Sequence, residues 1–145
     1  MKEISAQEAY DLMQKDPEYM YLDVRSQHEF EQGHPMKAVN IPIMHFDPRM
    51  GMYPNDDFVP VAEAALPKDA KLIIGCKTGM RSASACEILG RLGYQNVVNV
   101  RGGFVGAMDN FGRVVEPGWS LLHLPICRNC EPGSSYDNLA ARIKK

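Results

Sequence analysis

The chain has 145 residues, of which 45% are hydrophobic and 23% charged, and its formal net charge is −2. That length fits one domain whose core needs no covalent staple. The near-neutral charge gives no overall basic field for nucleic acid or an anionic membrane, and no apolar run reaches the roughly 20 residues of a membrane helix.

The first segment, MKEISAQEAYDLMQKD, is amphipathic and charged and lacks the apolar stretch of a signal peptide. The expected compartment is therefore the cytoplasm. Within it Ser5 and Glu8 form a capping-box signature that opens a helix to about Lys15, with Ala9, Leu12 and Met13 inward. YMYLDV (19–24) is a short β-rich run. Ser26 and Glu29 repeat the capping box and open a second short helix, stopped by Gly33. AVNIPI (38–43) reads as a strand. Residues 45–57, HFDPRMGMYPNDD, are rich in turn formers and are expected as a long loop. A helix follows over 58–66, with Pro60 in its first turn, and then the strand KLIIG (71–75). From Ser82, the residues Ala85, Ile88, Leu89 and Leu92 make one apolar helix face that Gly93 ends. NVVNV (96–100) is a further strand, and GGFVGAMDNFG (102–112) is expected as a weak helix.

Alternating short strands and helices give an α/β fold, a mainly parallel sheet flanked by helices on both faces. Its domain is expected over 1–116. Residues 117–145 read as a C-terminal extension carrying Cys127-x-x-Cys130 and a short helix from about Tyr136. Trp119, Leu121, Leu122 and Leu124 are apolar residues that this extension has to bury against the domain or a partner chain.

Sites in such sheets form at the carboxyl ends of strands, and Cys76 lies at one. A loop that joins a strand to a helix N-terminus turns backbone N–H groups inward and cradles anions. Lys77 and Arg81 add two cations, Gly79 permits a tight curl, and Thr78 or Ser82 is placed to cap the helix. A cysteine at the start of such a loop is expected as a reactive thiolate. A buried structural cysteine before an ordinary turn is the plainer reading, and the cations and glycine crowded around Cys76 weigh against it. The spacing Cys76-x4-Arg81 is one residue shorter than a Cys-x5-Arg phosphatase loop. A smaller cradle suits a single transferred sulfur atom better than a tetrahedral phosphate.

Four motifs in order resemble the rhodanese, or thiosulfate sulfurtransferase, family across about residues 4–116: YLDVRSQHEFEQGH, AVNIP, CKTGMRS and RGGF. The resemblance implies Cys76 as the catalytic nucleophile. It implies Lys77, Thr78, Gly79, Met80, Arg81 and Ser82 as the loop that binds substrate. A sulfane sulfur would pass from thiosulfate or another persulfide donor to cyanide or a thiol, through a Cys76 persulfide. Asp23 and Arg25 match the family's Asp-x-Arg, in a bracing or ion-pair role, and His34 matches its Gly-His, in a structural role. No cofactor and no nucleic-acid or membrane partner is implied; a sulfur-relay protein partner is an open expectation. Met36-Lys37 stands where the family has Pro-Gly. Two alternatives stay open: a persulfide carrier loaded by a partner protein, and a related phosphatase or arsenate reductase.

The other cysteines are expected as reduced thiols. Cys86 falls on the apolar helix face and reads as core. Cys127 and Cys130 have the spacing of a redox pair or half a metal site, with His123 as a further candidate ligand.

Overall fold

The computed structural model describes residues 2–128 and 133–143. In chain order its elements are β1 (Lys2–Ser5), α1 (Ala6–Lys15), β2 (Tyr19–Asp23), α2 (Gln27–Gln32), β3 (His34–Pro35), β4 (Val39–Asn40), β5 (Met44–Asp47) and β6 (Gly51–Pro54). There follow α3 (Phe58–Ala65), β7 (Lys71–Gly75), α4 (Met80–Arg91), β8 (Asn96–Arg101), β9 (Gly106–Met108), β10 (Val114–Pro117), β11 (Ile126–Cys127) and α5 (Tyr136–Ala140).

Five strands form one sheet in the order β1-β8-β7-β2-β4, and every neighbouring pair is parallel. Alternate residues of a strand face opposite sides. Tyr21, Ile73, Val98 and Val100 therefore pack with α1 residues Ala6 and Ala9 on one face. Leu22, Leu72 and Ile74 pack with Phe58 and Val61 of α3 and with Ala85 and Leu89 of α4 on the other. The expected parallel sheet with helices on both faces is the observed one.

Both capping boxes form as read. Ser5 and Glu8 exchange hydrogen bonds at the start of α1, and Ser26 and Glu29 do so at α2. Two expectations need correction, and one strand was not foreseen. Residues 45–57 are a hairpin, β5 paired antiparallel with β6. The Asp47 carboxylate accepts the N–H groups of Arg49 and Met50, so the turn formers close a tight turn and their flanks pair. Residues 102–112 hold no helix, because Gly102, Gly103 and Gly106 all take positive φ; the segment turns and enters the β9–β10 hairpin. β1 adds an edge strand that the polar Lys2-Glu3 pair hid.

The segment after Pro117 is part of the core. Trp119 is fully buried and meets Tyr10 and Tyr21 edge to face at 5.9 and 5.5 Å, and its indole N–H donates to the Pro125 carbonyl at 2.8 Å. On the other face Tyr136, Leu139 and Ala140 of α5 join the α3 cluster. Leu121 alone of the four apolar tail residues stays largely exposed. Trp119→Ala is expected to cost about 3–5 kcal/mol by leaving a cavity in the core. Urea unfolding measures it; a loss well under this would mean that the tail only rests on the domain.

Candidate active site

Cys76 follows the last residue of β7, the middle strand of the sheet, and is only 1% exposed. Its neighbour Gly75 has no room for a side chain: a Cβ there would lie 1.9 Å from the Tyr21 hydroxyl. The loop that follows is held by its carbonyls. The Cys76 carbonyl accepts the Phe104 N–H at 2.8 Å and the Lys77 carbonyl accepts the Val105 N–H at 2.9 Å. In a trans peptide the N–H points opposite the C=O, so the Lys77 and Thr78 amides face away from the Phe104-Val105 segment. This close approach requires Gly103, where a Cβ would come within 2.4 Å of the Cys76 carbonyl.

The loop ends at Gly79, in left-handed backbone with φ 112°, and α4 begins at Met80, two residues earlier than the apolar pattern indicated. No side chain caps this helix. The expected Thr78 or Ser82 cap is absent, and the N–H groups of the first turn are left for a ligand. Ser82 instead turns inward. It is fully buried, and its hydroxyl lies 3.4 Å from Cys76 Sγ, while the Gly79 N–H donates to the same sulfur at 3.1 Å.

Asn99, on the neighbouring strand β8, is the residue that sequence reasoning missed. It is buried, its Oδ1 accepts from the Ser82 hydroxyl, and its Nδ2 donates to the Gly79 carbonyl at 3.2 Å and to Glu3 at 2.9 Å. Both groups that touch the sulfur are thus tethered to one side chain. An asparagine inside a buried strand run was the available signal, since a buried amide has to be hydrogen-bonded. Ser82 has one hydroxyl hydrogen and two neighbours that can accept it, the sulfur and Asn99.

The two loop cations have different fates. Arg81 makes a two-pronged pair with Glu29, at 2.7 and 3.0 Å. Lys77 is exposed and makes no ion pair with a described residue. Burial works against the Glu29 charge, but Arg81 and the Ser26 cap outweigh it and hold the carboxyl at about 2. The capping glutamate of α2 therefore also anchors the Cys76 loop. Asp23 and Arg25 form a buried pair at 2.7 Å; Arg25 also donates to the Gly33 carbonyl, and its guanidinium lies 4.3 Å from the Phe104 ring centroid. This pair touches no reacting atom and braces the Phe104 segment that holds Cys76. His34 stacks on Phe30 with its Nδ1 2.8 Å from the Phe30 carbonyl, a structural placement. Thr78 and Met80 are exposed at the rim.

Burial pushes the Cys86 thiol up to about 12, so it stays neutral. Cys127 departs from the expectation of reduced thiols: it is disulfide-bonded. Bonded sulfur offers no thiolate to a metal, and the described residues contain no metal-binding group of three His, Cys, Asp or Glu side chains. Cys130 lies outside the described residues.

The sequence matches the family described as Rhodanese-like domain over residues 5–109. It is 35% identical over 101 residues to thiosulfate sulfurtransferase 16, chloroplastic, of Arabidopsis thaliana, a match covering 70% of this chain and 82% of that protein. It is 37% identical over 92 residues to senescence-associated protein DIN1 of Raphanus sativus, covering 63% of this chain. The chain spans about half the length of that protein and of other curated relatives it matches. Among solved structures, the crystal structure of Rv0390 from M. tuberculosis superposes with a TM-score of 0.74 at 26% identity, covering 89% of this chain and 98% of that one.

Two predictions follow from the loop's anchors. Glu29 has a folded pKa below its ordinary 4.5, so its stabilisation is complete above about pH 4.5 and is lost as pH falls towards 2. Glu29→Gln is expected to lower stability by on the order of 2–3 kcal/mol at pH 7, with the gap to wild type closing between pH 4.5 and 2. Urea midpoints measured across that range test it, and a gap that does not change with pH would refute the clamp. Asn99→Ala is expected to lower the rate of reaction at Cys76 about 10- to 100-fold. Adding Ser82→Ala to it should cost less than Ser82→Ala does alone. Fully additive losses would show that Asn99 does not act through Ser82.

Proposed function

Because the chain belongs to the rhodanese-like domain family, we propose that it is a sulfurtransferase that carries sulfur as a Cys76 persulfide. The observation that carries the reading is the sulfur's setting. Cys76 Sγ faces the Gly79 N–H and the Ser82 hydroxyl, at the uncapped start of α4, within a loop whose Cys76, Lys77 and Gly79 carbonyls are turned to other partners. Such fixed dipoles favour negative charge on a sulfur in either of its forms, thiolate or persulfide.

In the proposed reaction the Cys76 thiolate attacks the outer sulfur of thiosulfate. A new S–S bond forms, the old S–S bond breaks, and sulfite leaves with the electron pair. An acceptor, cyanide or a thiol, then attacks the outer sulfur and releases the Cys76 thiolate. This is ping-pong covalent catalysis. Arg81 is spent on Glu29, so its part is to hold the loop, and the exposed Lys77 is the cation left to draw in a dianionic donor. The short Cys76-x4-Arg81 loop disfavours phosphoryl chemistry.

One observation favours the carrier alternative. Both hairpins that leave the carboxyl end of the sheet expose a cross-strand apolar pair, Phe46 with Met52 and Met108 with Val114, and Met80 is exposed on the loop itself. A partner protein bearing the donor sulfur would cover such side chains.

Intact-mass measurement after thiosulfate, then after cyanide, tests the reading. A gain of one sulfur, about 32 Da, that cyanide reverses and Cys76→Ser abolishes is the expected result. Loading by glutathione persulfide but not by thiosulfate would keep the sulfurtransferase reading with another donor, and loading by a desulfurase protein but by neither small molecule would favour the carrier alternative. No gain from any of these donors would overturn persulfide chemistry.

A further inference from the structure

A second cleft lies away from Cys76, between α1, β2 and the segment after Pro117. It has a volume of about 190 Å³, and its wall includes Tyr10, Gln14, Tyr19, Tyr21, Lys37 and Trp119. Trp119 lies beyond the residues that match the family model, so the cleft is built in part from the segment after that match.

Three features describe what would fit. Its size is close to that of the about 150 Å³ cavity that accepts a benzene molecule, with room for one ring and a small substituent but not for two rings. Its wall is aromatic: the half-buried Tyr10 and Tyr19 line it, and the buried Trp119 stands behind, 5.9 Å from Tyr10. Its charge has one sign: Lys37 lines it, no carboxylate does, and Lys37 makes no ion pair with a described residue.

Lys37 also stands in left-handed backbone, φ 72°, where a side chain is sterically unfavourable and glycine is the default. A lysine kept in that conformation at the edge of an aromatic cleft points to use of its ammonium group. The Gln14 amide supplies a neutral donor beside it.

We propose that this cleft is a ligand site, separate from the Cys76 loop, which takes a single-ring aromatic carboxylate. The ring packs against Tyr10 and Tyr19, next to Trp119, and the carboxylate pairs with Lys37.

Trp119 is the chain's one tryptophan, so its fluorescence reports on the cleft directly. The probe is benzoate, with benzylamine as the same ring carrying the opposite charge and acetate as the charge without a ring. A saturable change in Trp119 emission with benzoate is expected, with binding about tenfold weaker for either comparator. Lys37→Gly, which relieves the backbone conformation, should weaken benzoate by about the same factor while keeping the fold and the Cys76 chemistry. Lys37→Asn, which tolerates the same backbone, serves if the glycine variant is unstable. No saturable change with benzoate, equal binding of acetate, or unchanged affinity in both lysine variants would overturn the proposal.

Discussion

The site depends first on a backbone contact. Two carbonyls of the Cys76 loop are bound by two amides of the Phe104-Val105 segment, and this pairing turns the loop so that its own amides are free. A buried carbonyl has to find a partner. Here the partner is main chain, so the loop's shape does not rest on any one side chain. The cost falls on Gly103, which cannot carry a Cβ beside the Cys76 carbonyl, and on Gly75, which cannot carry one beside Tyr21. Four parallel strands then stand beside β7 in one sheet and hold both ends of the loop against a rigid floor.

Charge around the loop is used for support more than for attraction. Asp23 and Arg25 are buried together, and Arg25 lies against Phe104, the residue whose amide fixes Cys76. Glu29 caps α2 with one set of hydrogen bonds and clamps Arg81 with another. A local helix signal thereby reaches 52 residues along the chain to the Cys76 loop. Removing one partner of such a half-buried pair leaves the other without compensation, which costs more than the pair itself contributes. The sulfur is left mainly to the N–H of Gly79, whose carbonyl Asn99 holds, and it shares the one Ser82 hydroxyl hydrogen with Asn99.

The segment after Pro117 does more than decorate a finished domain. Trp119 fills the core on the α1 face, and α5 packs beside α3 on the other. β11 pairs with β3 at His34, near Gly33, whose carbonyl accepts from Arg25. The tail is thus joined to the elements that brace the Cys76 loop, while its tryptophan also lines a separate cleft.

Much of this was legible in the residues alone. The capping boxes at Ser5 and Ser26, the strand before Cys76 and the apolar face of α4 follow from spacing over a few residues, and local preferences settle them. The same holds for the make-up of the Cys76 loop, whose cations, glycine and helix start lie close together in the chain. The hairpin over 44–54 and the glycine turn after β8 were misread because turn formers do not reveal what their flanks pair with. Asn99, the second role of Glu29, the loss of Arg81 to an ion pair and the burial of Trp119 were decided only by tertiary structure. Each depends on groups far apart in sequence, and no local pattern records which buried amide, carboxylate or ring will meet which partner once the sheet has formed.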